Sequence, residues 1–251
     1  MNYPLLMGFC LLLVLWAAAL AGALCRKRRR RAQDDHEWDE FGLVVSATLT
    51  LLGLLIGFSF SMAIGRYDQR KNYEEEEANA IGTEYVRADL LPDPTRSTVT
   101  GLLVEYLNLR IRLYESNASD DTAALAAKTA QLQDEMWNAV AQAAATNPTP
   151  LMAAVVIGMN DVLNRQGYTQ AARLNRIPVP AWFLMIAIAI FSNFLIGYGV
   201  KNPRSIMFLV LPMTIAVSFF LVADIDSPQG GIIRVAPQNL IVLSDSMKPG
   251  S

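Results

Sequence analysis

Two carboxylates near the carboxyl end of the chain are the residues best placed to do chemistry. Asp224 and Asp226 directly follow an apolar block, in the segment FFLVADIDSPQGG. The pair offers hard oxygen ligands for a divalent cation, but no further oxygen pattern accompanies it. A salt bridge or a capping contact is therefore favoured over a metal site. Arg66 and Arg70 follow another apolar block, so we expect the four residues to form a charge cluster at the membrane boundary.

The rest of the chain carries little catalytic chemistry. His36 is the only histidine, and Cys10 and Cys25 lie too far apart on one predicted helix to bridge each other. The sequence contains no glycine-rich phosphate loop, nucleophile elbow or set of histidine with carboxylate. We expect neither an enzyme nor a bound cofactor or metal.

Four apolar blocks predict an integral membrane protein. Hydrophobic residues make up 53% of the 251 residues, and they concentrate at 4–24, 41–64, 181–200 and 205–223. Each block has about the ~20 residues needed to cross the hydrocarbon core of a bilayer. The first block is predicted to be an uncleaved anchor rather than a signal peptide, because its basic residues follow it instead of preceding it.

A basic run after the first span predicts the orientation of the chain in the membrane. The positive-inside rule places it in the cytoplasm, together with Lys201 and Arg204 in the loop between spans three and four. The run is also a candidate site for anionic lipid headgroups. A nucleic-acid partner is not expected, because the run is tethered to a span and has no aromatic neighbours. The residues of this run are Arg26, Lys27, Arg28, Arg29, Arg30 and Arg31.

The polar segment 66–177 predicts an extramembrane helical bundle. Apolar residues recur there at three- and four-residue spacing within 78–88, 99–113, 125–140 and 151–162, so each set forms one stripe on a helix. We therefore expect an all-α fold divided into 1–65, 66–177, 178–223 and a tail at 224–251. The charge rule places the bundle and the tail outside a bacterial cell membrane.

The second span is predicted to continue into the bundle as one helix. No proline interrupts the sequence from near Gly42 to near Leu90. The extension carries the acidic run Glu74–Glu77, whose four adjacent side chains point to all faces of a turn and cannot converge on one ion. A solvated, partly paired helix surface is the favoured interpretation. The alternative is that one or two of these carboxylates meet charges from another helix or subunit.

Small residues recur along one face of the second span. They allow another helix to approach closely in lipid, and the three hydroxyls also suit a face that lines a pore. Packing within the chain or between copies is the favoured interpretation, and a pore lining is the alternative. This small-residue face consists of Ser46, Thr50, Gly53, Gly57, Ser61 and Gly65.

Two motifs resemble a known family. The stretch EANAIGTEY at 77–85 is similar to an E-x-N-A-I-G-T-x-Y pattern, and 222–231 is similar to L-D-x-D-x-P-x-x-G. Both patterns are typical of the bestrophin-like family of bacteria and plants, whose function is unknown. The chain departs from the second motif at Ala223 and Ser227. The resemblance covers about residues 41–242.

The resemblance implies a function that the residues alone do not give. True bestrophins, which are remote relatives, are pentameric anion channels whose second helix lines the pore. The resemblance thus implies a homo-oligomeric ion channel in a lipid bilayer, although true bestrophins keep their helical domain in the cytoplasm. The alternative is a non-conducting scaffold or accessory subunit that binds a membrane-protein partner through the bundle.

Overall fold

The computed structural model describes residues 4–29, 35–116, 121–200 and 207–248. These residues form α-helices and their connections, together with a short 3-10 helix at Ala88–Leu90, which confirms the predicted all-α fold. The α-helices are α1 (Pro4–Arg29), α2 (Asp35–Arg87), α3 (Thr95–Glu115), α4 (Asp121–Thr146), α5 (Pro150–Leu174), α6 (Val179–Gly199), α7 (Met207–Asp226) and α8 (Gln238–Ser246).

Four of these helical stretches are long and apolar enough to cross a membrane, as the sequence predicted. They lie within Pro4–Lys27, Glu40–Leu90, Pro150–Gly199 and Phe208–Asp226. Large apolar side chains such as Phe9, Phe183 and Val210 point outward from them. Exposed apolar surface of this extent suits lipid rather than water.

Helix α2 is continuous for 53 residues, which confirms the predicted long helix. It begins at Asp35, earlier than expected, and ends at Arg87, where the 3-10 turn follows. Its glycines cost only ~1 kcal/mol each relative to alanine, so they do not interrupt it. The proline at Pro92 lies just beyond its end.

The chain divides into two compact units. Unit 1 comprises Met1–Gly65 and Arg176–Ile233, and unit 2 comprises Arg66–Asn175 and Arg234–Ser251. Unit 1 therefore contains α1, the apolar part of α2, α6 and α7. Unit 2 contains the polar part of α2, helices α3 to α5, and α8.

In unit 1, glycines bring helices α1 and α6 into backbone contact. A Cβ atom on Gly197 would overlap the carbonyl of Ala19, and one on Gly22 would overlap the carbonyl of Phe194. Only glycine permits this approach of two backbones, which maximises van der Waals contact where no hydrophobic force drives association. Among the described residues of unit 1, these glycines therefore place the backbones of α1 and α6 in direct contact.

In unit 2, the predicted apolar stripes face one another and form a single core. Ile81, Tyr106, Met136 and Val155 from four helices are all fully buried in it. Leu151 departs from its predicted stripe, because its side chain is 60% exposed. The core also contains Leu240 of α8, a helix that no predicted stripe included.

Candidate functional site

The small-residue face of α2 is open within the chain. All six of its residues are exposed. A Cβ atom built on Gly53, Gly57 or Gly65 meets no atom of a neighbouring element of the described chain within 4 Å. Packing within the chain therefore does not account for these glycines, because α2 turns a different side, with Leu52 and Ala63, toward its own unit. Packing between copies and a pore lining both stay predictions.

Two of the three hydroxyl groups on this face donate inward to the helix backbone. Thr50 Oγ1 donates to the Ser46 carbonyl at 2.8 Å, and Ser46 Oγ donates to the Gly42 carbonyl at 2.9 Å. Because these two protons are used by the helix, the lone pairs of both oxygens remain available to whatever lies outside the face. Chemically, the face offers hydroxyl oxygens and bare glycine backbone.

Asp224 braces the turn that follows α7. Its two carboxylate oxygens accept the backbone N–H groups of Ile232 at 2.7 Å and Ile233 at 2.8 Å. Gly231 lies so close that a Cβ there would overlap the Asp224 carbonyl oxygen. The Asp224 side chain therefore serves as a backbone acceptor within this turn, which is the capping role considered for it.

Asp226 braces the segment that leads into α6. Both carboxylate oxygens accept the backbone N–H of Ile177, at 3.0 and 3.2 Å. Among the described residues, no group of three or more Asp, Glu, His or Cys side chains is arranged to hold a metal ion. Arg66 and Arg70 belong to unit 2, whereas both aspartates belong to unit 1, so the proposed charge cluster stays a prediction.

The acidic run Glu74–Glu77 is only partly solvated: Glu74 and Glu77 are buried in unit 2, whereas Glu75 is exposed and Glu76 is partly exposed. Glu74 is buried and accepts the Asn239 side-chain amide at 2.7 Å and the Leu240 N–H at 3.0 Å. Glu76 accepts Arg165 of α5 at 2.6 Å. The favoured interpretation of a solvated, partly paired surface fits Glu75 and Glu76 but is wrong for the buried Glu74 and Glu77. The alternative, that one or two of these carboxylates meet charges from another helix, holds for Glu76 with Arg165 and for Glu77 with Arg110.

Glu77 is the centre of a buried polar cluster in unit 2. Arg110 of α3 binds it with two nitrogens, at 2.5 and 3.1 Å, and the side chains of Glu77 and Arg110 are 0% and 1% exposed. Thr169 of α5 donates its hydroxyl to Glu77 at 3.1 Å. The Tyr106 hydroxyl also lies 3.5 Å from the carboxylate. Three helices are thus joined at one carboxylate.

The protonation states of this cluster follow from burial and charge. Burial is the largest single influence and disfavours the charge of Arg110, but the charge and hydrogen bonds of Glu77, together with Tyr106 and Tyr114, outweigh it and raise the pKa of the guanidinium above its usual value. Burial, reinforced by Glu77, raises the pKa of Tyr114 to about 12. Arg110 therefore stays charged where it contacts Glu77, and the neighbouring phenol of Tyr114 stays neutral.

Glu84 is a second buried carboxylate of α2, and its surroundings differ. Its side chain is 0% exposed, and Arg87 Nη1 lies 3.8 Å from it. A Cβ atom on Gly158 of α5 would overlap the Glu84 carboxylate. Burial raises the pKa of Glu84 to about 8, and the charge of Arg87 only partly opposes this shift.

Only part of the predicted lipid-headgroup run is described. Arg26 donates to the carbonyl of Gly199 at the end of α6, and to that of Tyr198 at 3.5 Å. A guanidinium that donates to the last carbonyls of a helix makes a favourable C-terminal contact. Arg30 and Arg31 lie outside the described residues, as do the side chains of Arg28 and Arg29, so lipid binding by the run stays a prediction.

A family model described as a bestrophin-like domain matches residues 12–240. The match covers most of the 251 residues. The chain belongs to the bestrophin-like family. No curated protein matches this bestrophin-like chain at a significant level.

Solved bacterial bestrophin homologues share the fold of this bestrophin-like chain. A Klebsiella pneumoniae homologue with a tryptophan-to-alanine mutation matches with a TM-score of 0.66 at 12% identity, over 95% of this chain and 97% of that one. The Klebsiella homologue phased with zinc matches with a TM-score of 0.62 at 12% identity, over 94% and 98%. A third Klebsiella structure, with a tyrosine-to-alanine mutation, gives 0.62 at 13% identity, over 94% and 98%.

In this bestrophin-like chain, the two family motifs are placed at structural junctions. The first motif contains Glu77 and Glu84, both buried between helices of unit 2. The second contains Asp224 and Asp226, which bind backbone N–H groups within unit 1. The motifs therefore identify the fold. They do not by themselves supply catalytic chemistry.

Sequence reasoning missed Arg110 and Thr169, the partners of Glu77. A signal for Arg110 exists, because it continues the spacing of the apolar stripe of α3 between Tyr106 and Leu113. A charged residue at a stripe position must find a buried partner. No comparable signal identifies Thr169, because threonine is common on both the exposed and the buried sides of helices.

Proposed function

We propose that this protein is a homo-oligomeric ion channel in which the small-residue face of α2 lines a central pore. The observation that carries the proposal is the exposure of this face. A Cβ atom on any of its glycines would meet no other element of the described chain, and its three hydroxyl residues are exposed. A face with three hydroxyl oxygens is poorly matched to hydrocarbon but well matched to water and ions.

The similarity to solved bacterial bestrophin homologues supports this proposal at the level of the fold. In the proposed ring, each copy contributes its α2 to a common axis. Glycine positions leave room at that axis, and hydroxyl positions offer oxygen atoms to a partly dehydrated ion. We also propose the orientation that the positive-inside rule predicts, with the first loop in the cytoplasm and the bundle outside the cell membrane.

The scaffold alternative rested on the amphipathic stripes of the bundle, on the long helix that joins the membrane part to the bundle, and on the lack of a cofactor motif. In unit 2, these stripes pack against one another, with Tyr106, Met136 and Val155 fully buried. No specific surface of the described residues therefore favours a partner-binding role over conduction.

Planar bilayer recording tests the proposal. The purified full chain should conduct ions, and Gly57→Leu should lower the current at least tenfold, because a leucine side chain from each copy would enter the pore. Leu51→Phe enlarges an exposed residue on a neighbouring face of α2 and should leave the current unchanged. A verified oligomer without conductance, or equal currents from Gly57→Leu and the parent, would overturn the proposal.

Cross-linking in cells separates the channel from the scaffold. A ladder of homo-oligomers with no dominant second protein supports the channel. A dominant heterologous partner, with no homo-oligomer, supports the scaffold and contradicts the proposal.

A further inference from the structure

The Glu84 carboxylate is buried without a hydrogen-bond donor. Neither of its oxygens has a hydrogen-bond partner among the described residues. The nearest cation, at Arg87 Nη1, lies 3.8 Å away, which is beyond hydrogen-bonding distance. A buried ionised carboxylate in this position is costly, whereas a protonated one is much less so.

Glu84 packs tightly against α5, with no space for an additional atom between them. Gly158 contacts the carboxylate directly, and even one added carbon on this glycine would overlap Glu84 and Arg87. Next to this contact is a polar cavity of about 380 Å³ between α2 and α5, with Asn79, Thr83 and Asp161 in its lining. A carboxylate that left Gly158 would therefore find polar surroundings nearby.

The charges around this contact leave Glu84 without a strong partner. On α2, Arg87 is 37% exposed and can reach solvent. On α5, Arg165 is already paired with Glu76 at 2.6 Å, and Asp161 carries the same charge as an ionised Glu84. Binding a proton, which neutralises the carboxylate, therefore best stabilises Glu84 in this buried position.

We propose that Glu84 is a proton-binding site that couples the packing of α2 against α5 to pH. With the proton bound, the neutral carboxyl stays against Gly158 and the two helices pack closely. When the proton leaves, the carboxylate moves toward Arg87 and the polar cavity, and the helix contact loosens. The proposal goes beyond ion conduction and does not depend on it.

The direction of the pH dependence follows from the pKa of Glu84, which burial raises from 4.5 to about 8. The unfolded chain releases the proton near 4.5, whereas the folded chain keeps it until about 8. The stability supplied by the proton is therefore fully present below pH 4.5 and is lost as the pH rises through about 8. Close packing at Gly158 should weaken over that same window.

Hydrogen exchange of the full chain in lipid nanodiscs tests the proposal. After correction for intrinsic exchange rates, the amides of residues 154–162 in the parent should lose protection at least tenfold between about pH 6 and about pH 9. Glu84→Gln should keep its protection at both values. Glu75→Gln, which neutralises an exposed carboxylate of the same helix, should behave like the parent.

Two results would overturn the proposal: a parent whose protection is independent of pH, or a pH dependence that Glu84→Gln retains. If Glu84→Gln does not fold, infrared spectroscopy of the parent decides. A protonated carboxyl band that is present at about pH 6 and absent at about pH 9 supports the proposal, and the absence of such a band at about pH 6 contradicts it.

Discussion

The most informative residues of unit 2 are carboxylates at positions of an apolar stripe. Glu74, Glu77 and Glu84 are buried, and they alternate with Ile81 and Ala88 at the three- and four-residue spacing of a core-facing stripe. Sequence reasoning treated Glu74 and Glu77 as members of a charge run. Their position on the stripe, rather than their charge, indicates that they are buried. Their partners were not predictable, because these depend on how distant helices meet.

At the residue scale, Arg110→Ala should destabilise the protein strongly. The change leaves Glu77 buried without its ion-pair partner, which typically costs ~3–5 kcal/mol. Unfolding of the detergent-solubilised protein, followed by circular dichroism, measures this effect. The double variant Glu77→Leu/Arg110→Met should recover much of the loss, because no charge then remains buried.

Arg96→Ala is the matched control for Arg110→Ala. Arg96 is about half exposed, and its carboxylate neighbours Asp89 and Asp93 lie 3.9 and 3.8 Å away. An exposed pair of this kind contributes ~1 kcal/mol or less. Equal losses from Arg96→Ala and Arg110→Ala would contradict the central role of the Glu77 cluster.

At the element scale, glycines serve two different purposes in this chain. On α1 and α6, Gly22 and Gly197 allow the two backbones to touch. On α2, glycines such as Gly53 have no neighbouring element of the described chain within 4 Å. The sequence reveals the face on α2 because its small residues recur along one helix. It does not reveal the contact between α1 and α6, because that contact joins single glycines on helices far apart in the chain.

Gly197→Leu should disrupt unit 1. Its side chain would overlap the Ala19 backbone, and backbone cannot move aside as a flexible side chain can. Overpacking of this kind costs ~1–3 kcal/mol or more. The expected result is a clear fall in melting temperature and loss of a monodisperse peak in size-exclusion chromatography. Gly53→Leu adds the same side chain to an open site, so its melting temperature should stay near that of the parent. A parental melting temperature for Gly197→Leu would refute this account of the contact.

The lengths of the elements were largely predictable. Four apolar blocks predicted the spans, and the absence of proline predicted the long α2. The predicted start of α2 near Gly42 was late, because the polar residues from Asp35 onward are also helical. Leu151 was wrongly assigned to the core because it satisfies the helical spacing at the very start of α5, where the neighbouring Met152 is buried instead.

At the scale of the whole molecule, the pattern of apolar and polar residues defines the fold more than sequence identity does. The solved relatives share only 12–13% identity with this chain, yet the first two match with TM-scores of 0.66 and 0.62. Apolar blocks, stripes and junction motifs are sufficient to specify such a fold. They do not specify an oligomeric state, because the small-residue face of α2 is open in a single chain.

The central claim is that the exposed face of α2 lines a pore, and charged thiol reagents test it most directly. Cys10 and Cys25 are first replaced by alanine, and single cysteines are then introduced as Thr50→Cys and Leu51→Cys. Both positions are exposed, but they lie on different faces of α2. During bilayer recording, the reagent should lower the Thr50→Cys current severalfold and leave the Leu51→Cys current unchanged. An unaltered Thr50→Cys current, with modification verified by mass spectrometry, would contradict the claim, as would equal inhibition of the two variants.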